Sequence, residues 1–228
     1  MKKIIINIII FIFLTTLSMY AQEERKKFRF NPSIGMSIPY SDFAKDNMEY
    51  DAGFSSVGLN INSDIMWYWG KYFGLSLDLG YTNLFFKKKA YKSEYERILE
   101  QSDGIEVLAG NYQVAHSSLG LIIKTPEFYN TEVLTIGRLG FSYCIHPEIL
   151  VTDEYWGVIN SIKQDDAISI ISSLNFRINH YISEKYGISI YFNTYSTNPR
   201  FSDKTSIENG FNLYIAYYSI NAGFIIRF

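Results

Sequence analysis

The chain has 228 residues and a formal net charge of -2, which fits one domain of ordinary size and removes any bulk electrostatic case for nucleic acid. Aromatic residues make up 17%, with 19 Tyr and 17 Phe, more than a soluble core needs. The surplus suits a membrane interface, where one end of a ring is apolar and the other wet.

The first element is a targeting segment. Lys2 and Lys3 form a positive start, residues 4–14 are apolar except for Asn7, and residues 15–21 are more polar. Cleavage after Ala21 would leave Gln22 first, so 1–21 reads as a signal peptide followed by a short charged lead-in. The apolar run is short for a transmembrane helix; the competing reading is an uncleaved anchor. No cysteine lies near the cleavage point, which argues against a lipid anchor. Cys144 is the single cysteine, so no internal disulfide forms, and it reads as a small residue tucked into a strand. No later stretch is apolar enough for a helical span. A membrane location for 22–228 therefore requires a closed barrel, because an open sheet leaves backbone groups unsatisfied in lipid.

Period-two alternation dominates from residue 28 onward. The first strand sets Phe28, Phe30, Ile34, Met36 and Ile38 against Arg29, Asn31, Ser33, Gly35 and Ser37. The second sets Val57, Leu59, Ile61, Ile65 and Trp67 against Ser56, Gly58, Asn60, Asn62 and Asp64. The third sets Phe73, Leu75, Leu77, Leu79 and Tyr81 against Gly74, Ser76, Asp78, Gly80 and Thr82. Four further strands are expected near 112–124, 133–144, 168–180 and 186–196. In the 133–144 strand, Leu134 and Ile136 share a face with Arg138, which blurs its register. The last strand places Tyr218, Ile220, Ala222, Phe224, Ile226 and Phe228 on one face. Long connections (39–53, 87–110, 145–166, 197–210) alternate with short ones, the rhythm of outward loops and periplasmic turns.

The expected fold is an all-β, closed, antiparallel up-and-down transmembrane barrel of about eight strands. A soluble periplasmic barrel alternates too, but its outer face needs Lys and Glu for solubility. Here the strand interiors hold almost none, and the polar faces carry Gly, Ser, Asn, Asp and Arg, which fit a narrow lumen. Arg29, Asp64, Asp78, Arg138, Arg177 and Arg227 are expected to form a lumen network of ion pairs, the alternative being a polar track for a small solute. Aromatic girdles are expected at the periplasmic rim (Trp67, Tyr68, Trp69, Tyr72, Phe128, Tyr129, Tyr181, Tyr186, Phe228) and at the outer rim (Tyr81, Phe85, Tyr143, Tyr195, Phe211, Tyr214).

The terminal run from Tyr218 to Phe228, with Phe224, Ile226 and Phe228 as its apolar end, resembles the closing signal of bacterial outer-membrane barrels. That resemblance implies recognition by the barrel-assembly machinery and a place among outer-membrane lipid in a Gram-negative envelope. The stretch Gly35-Met-Ser-Ile-Pro39-Tyr-Ser-Asp-Phe43 is similar to the end of strand one in the outer-membrane β-barrel domain family common in Bacteroidetes, as is the Ala-Gln cleavage site. The architecture implied is that of the small OmpA- and OmpX-like barrels, without the peptidoglycan-binding domain that follows the barrel in OmpA proteins.

Chemistry is sparse. With three histidines, one cysteine and no clustered spacing, neither a metal site nor a cofactor is expected. The sharpest enzymatic candidate is the pair His116 and Ser118, two apart on one strand face. It is similar to the His-x-Ser pair of outer-membrane lipid A deacylases, but Leu119, Leu121 and Ile123 occupy the opposite face, and no acid is evidently placed to orient the histidine. A non-enzymatic barrel with a structural or surface-contact role is the leading expectation, ahead of a narrow channel and of a lipid hydrolase. Function is expected in the long loops. Ser93 and Glu96 have capping-box spacing, predicting a short helix from Ser93. Tyr155, Trp156, Val158, Ile159 and Ile162 form an apolar segment that either contacts an extracellular ligand or partner, or folds over the barrel mouth.

Overall fold

A computed structural model describes residues 27–48, 52–100, 104–202 and 210–228. The expected signal peptide, 1–21, and the lead-in before residue 27 lie outside the described residues, as do 49–51, 101–103 and 203–209 within three of the long connections.

Eight strands close an antiparallel barrel in which every strand pairs with its neighbour along the barrel order. They are β1 (Phe28–Pro39), β2 (Ser55–Tyr68), β3 (Phe73–Phe86), β5 (Tyr112–Lys124), β6 (Thr131–His146), β9 (Asp165–Tyr181), β10 (Tyr186–Thr197) and β13 (Ile215–Arg227). β1 and β13 close the seam, from Arg29 opposite Arg227 to Pro39 opposite Tyr217. The remaining strands, β4 (Ile105–Ala109), β7 (Ile149–Asp153), β8 (Gly157–Ile162), β11 (Arg200–Phe201) and β12 (Phe211–Asn212), lie in the long connections with one helix, α1 (Lys88–Leu99).

Alternation decides which face meets lipid. Ile34, Leu121, Leu139, Ile168 and Ile190 point outward and are 62–73% exposed. Asn31, Asp64, Ser76 and Asn175 point inward and are fully buried. An apolar girth facing out and a polar interior facing in is the reverse of a soluble barrel and the arrangement that lipid requires. The short turns at 69–72, 125–130 and 182–185 share one end with the described chain ends. In the second of these, Tyr129 and Asn130 both take left-handed backbone (φ 48° and 58°), the pattern of a two-residue type I′ hairpin turn.

The opposite end is a packed cap built from the long connections, one of which the sequence already allowed to fold over the barrel mouth. β4, β7 and β8 form a three-stranded sheet, and β11 pairs with β12. Phe43, Phe54, Tyr91, Ile105, Val151, Phe201 and Leu213 from the connections join Leu84, Val114, Ile171 and Tyr217 of the barrel mouth in one buried cluster. Phe43 meets Tyr112 edge-on at 4.9 Å and Phe54 meets Tyr91 at 4.8 Å. Each such ring removed from water contributes about 2–3 kcal/mol. α1 begins at Lys88 and not at Ser93 as the capping-box spacing predicted; Lys87 precedes it with no side-chain cap. Burial of Tyr91 in the cap overrides the local signal, and Glu96, the acid of that spacing, pairs with Lys92 at 3.5 Å.

Candidate functional site

The lumen is filled by three stacked polar clusters. Nearest the end with the short turns, Glu132 is the hub. Arg29 donates to it, Tyr181 O–H donates at 2.6 Å, Asn179 at 2.9 Å and Lys124 at 3.3 Å. The Arg29 guanidinium also covers the Tyr68 ring at 4.2 Å. Arg227, expected in the buried network, instead caps the mouth: it lies over Tyr181 and pairs with Glu127 at 2.5 Å. Beside this cluster Met66, Tyr68, Ile122, Leu134 and Ile136 form an apolar plug. That plug is why Leu134 and Ile136 share the lumen face with Arg138.

In the middle, Asp64 Oδ2 accepts Arg138 at 2.5 Å and Arg177 at 2.6 Å, while its Oδ1 accepts Ser76 at 2.6 Å. Arg177 lies over the Tyr191 ring at 4.3 Å. Asp64 and Asp78 are direct cross-strand partners, a like-charge juxtaposition that costs stability unless cations flank it. The two arginines do so for Asp64, while Asp78 meets His116, whose Nε2 lies 2.9 Å from Asp78 Oδ2. Gly80 makes room for this pair, since a Cβ there would collide with the His116 ring and the Asn62 side chain. Tyr195 donates to Asp78 at 3.3 Å and stacks on Tyr217 at 5.0 Å, forming the third layer under the cap.

These positions correct several expectations. A carboxylate does orient His116: it is Asp78, directly across from Ser118 on the neighbouring strand. Among the described residues the Ser118 hydroxyl has no hydrogen-bond partner, so it does not meet the imidazole as a nucleophile meets its base. Both His116 and Ser118 are buried in the lumen, away from the lipid that a deacylase would attack. Tyr68, Tyr181 and Tyr195 are not girdle residues; all three are buried inside. Phe211 is not one either, packing in the cap against Phe201 at 5.5 Å. Trp67, Tyr72 and Tyr186 at one rim, and Tyr81, Phe85 and Tyr143 at the other, are exposed and outward. Among the described residues, no group of three or more His, Cys, Asp and Glu stands close enough to hold a metal ion.

The expected contact patch is divided by the fold. Ile159 and Ile162 pack against the cap cluster, whereas Tyr155 and Trp156 stand at the β7–β8 tip, 85% and 77% exposed. Asp153 holds that tip by accepting the backbone N–H of Tyr155 at 2.8 Å and of Trp156 at 2.9 Å, and Gly157 supplies the left-handed residue (φ 71°) that returns the chain into β8. Below it, His146 is enclosed by Tyr112, Phe201 and Phe211 at 5.3–5.5 Å, and burial pushes its imidazole down to about 4.

No protein-family model matches the sequence, and no curated protein matches it. Solved structures do. Neisserial surface protein A is similar over 90% of this chain and 100% of its own, at 8% identity and a TM-score of 0.51. A major outer membrane protein from Thermus thermophilus is similar over 88% of this chain and 99% of its own, at 10% identity and a TM-score of 0.50. At such identities the likeness is one of fold: the chain is a small eight-stranded antiparallel barrel of the outer-membrane type.

Proposed function

We propose that the protein is a non-enzymatic barrel of the Gram-negative outer membrane that makes surface contacts through its extracellular cap. The observation that carries this reading is the β7–β8 tip. Two large aromatic side chains are held in water by a turn stiffened through Asp153, on a cap whose other large rings are mostly packed away. Exposed Tyr and Trp on a rigid support are the residue types that anchor interfaces. The outward aromatic rims support a wall in contact with outer-membrane lipid, and the alternating terminal run supports Phe224, Ile226 and Phe228 as the closing signal for the assembly machinery.

The filled lumen supports a non-conducting barrel over a narrow channel, because its charges are neutralised by partners within the wall and its mouth is covered by apolar packing. Two measurements test the reading. In planar bilayers the purified protein is expected to give no steady conductance at low voltage; steady channels would overturn the non-conducting assignment. Cells displaying Tyr155→Ala/Trp156→Ala are expected to adhere severalfold less to an epithelial monolayer than cells displaying equal amounts of the unaltered barrel. Equal adhesion would remove the tip as the contact.

A further inference from the structure

The lipid-facing wall and the cap meet along a seam above β2, β3, β5 and β6, and two clefts open there. One, of about 430 Å³, is bounded by Leu108 and Leu150 of the cap sheet, by Gln113 and Ile145 of the barrel rim, and by Lys88 and Glu148. The second, also about 430 Å³, lies between Ser56, Phe85 and the lysines at 87–89. Lys88 borders both. Both adjoin the aromatic rim: Gln113 of the first accepts the Tyr81 hydroxyl at 2.9 Å, and Phe85 of the second faces outward.

Charge at this seam is one-sided. Lys87 is engaged, donating to the Ala44 carbonyl at 2.6 Å and lying 3.6 Å from Asp46, and Lys92 pairs with Glu96 at 3.5 Å. Lys88 and Lys89 are exposed and make no ion pair among the described residues. Glu148 lines the first cleft; no carboxylate lines the second. The lysines also open α1, whose first turn holds no acid, so they oppose the helix dipole at a local cost that a nearby anion would cancel. Directly beneath, Leu79, Tyr81 and Phe85 present an apolar wall to the outer half of the bilayer.

An anion here must therefore be amphipathic. We infer that the twin clefts around Lys88 and Lys89 seat the phosphate-bearing headgroup of an outer-leaflet lipid whose acyl chains lie against Leu79, Tyr81 and Phe85. This rests on the outer-membrane placement, which cell fractionation checks separately.

The test uses the whole barrel in phosphatidylcholine nanodiscs doped with bisphosphorylated lipid A, with lipid retention read by native mass spectrometry. Lys88→Gln/Lys89→Gln is expected to lower retention about twenty-five-fold, each lysine contributing about a factor of five at an anionic membrane surface. Lys88→Arg/Lys89→Arg is expected to restore it, and Lys71→Gln on a periplasmic turn to leave it unchanged. Lipid A stripped of its phosphates is expected to be retained as poorly by the unaltered barrel as bisphosphorylated lipid A is by the glutamine variant. Heat-modifiable gel mobility establishes that each variant is folded. Equal retention by the glutamine variant, or of phosphate-free lipid A, would overturn the site. Displacement of the lipid by millimolar inorganic phosphate would overturn the lipid in favour of a free-anion site.

Discussion

The lumen and the cap are both closed interiors, yet they are closed by opposite means. The lumen is filled with Arg, Asp, Glu and Asn held by hydrogen bonds; the cap is filled with Phe, Tyr and Ile held by contact. The difference follows from what lies outside each. The barrel wall already spends its apolar side chains on lipid, so period-two alternation leaves polar residues for the inside. The cap stands in water and buries its apolar face inward like an ordinary small domain. The two interiors should therefore fail differently: the lumen through unpaired charge and as a whole, the cap through cavities and locally.

The largest effect is expected from Asp64→Ala. It strips Arg138 and Arg177 of their shared carboxylate and should cost about 3–5 kcal/mol, read as a lower urea midpoint for loss of heat-modifiable mobility. Phe43→Ala should cost about 3–4 kcal/mol, yet show as protease sensitivity of the connections while the barrel keeps its mobility shift. A barrel that unfolded together with its cap in this variant would erase the distinction.

Acid should act on the cap through His146. Its folded value, about 4, lies below its ordinary 6.5, so as pH falls the unfolded cap takes up the proton first. The stabilisation is complete above pH 6.5, declines as pH drops toward 4 and then levels, a loss of about 2–3 kcal/mol. Protease sensitivity of the cap measured from pH 7 to 4 should rise accordingly, and His146→Gln should flatten the slope. Smallest of all, Tyr155→Ala/Trp156→Ala should change the unfolding midpoint by no more than about 0.5 kcal/mol, since neither ring is packed.

Eight strands were legible because alternation persists over long stretches, and the lipid faces were clear except where Leu134 and Ile136, beside Arg138, blurred the 133–144 strand. The cap strands were not, because β4 and β7 alternate over only five residues each, inside segments marked as connections by their charge and length. Tyr68, Tyr181 and Tyr195 were assigned to girdles by residue type, although alternation already put them inward with Asp64, Asn179 and Asn193. Glu132 was missed for a similar reason: it shares the inward face with Arg138, but stands at a strand end where charge reads as turn. Which arginine meets which acid was beyond reach, since partners such as Arg29 and Glu132 join across the lumen from strands 103 residues apart.

The seam between β1 and β13 has a consequence for fidelity of assembly. Closure there could in principle slide, because neighbouring strands offer similar ladders of backbone groups. A slip of one residue turns every side chain of a strand to the other face. Arg29 would then turn toward lipid, and Glu132, fixed on the far side of the barrel, would lose one of its two counter-charges in the same step, keeping only Lys124. The ion pairs spanning the interior thus proofread the register of the final join, rejecting near-correct closures that apolar contact alone would accept.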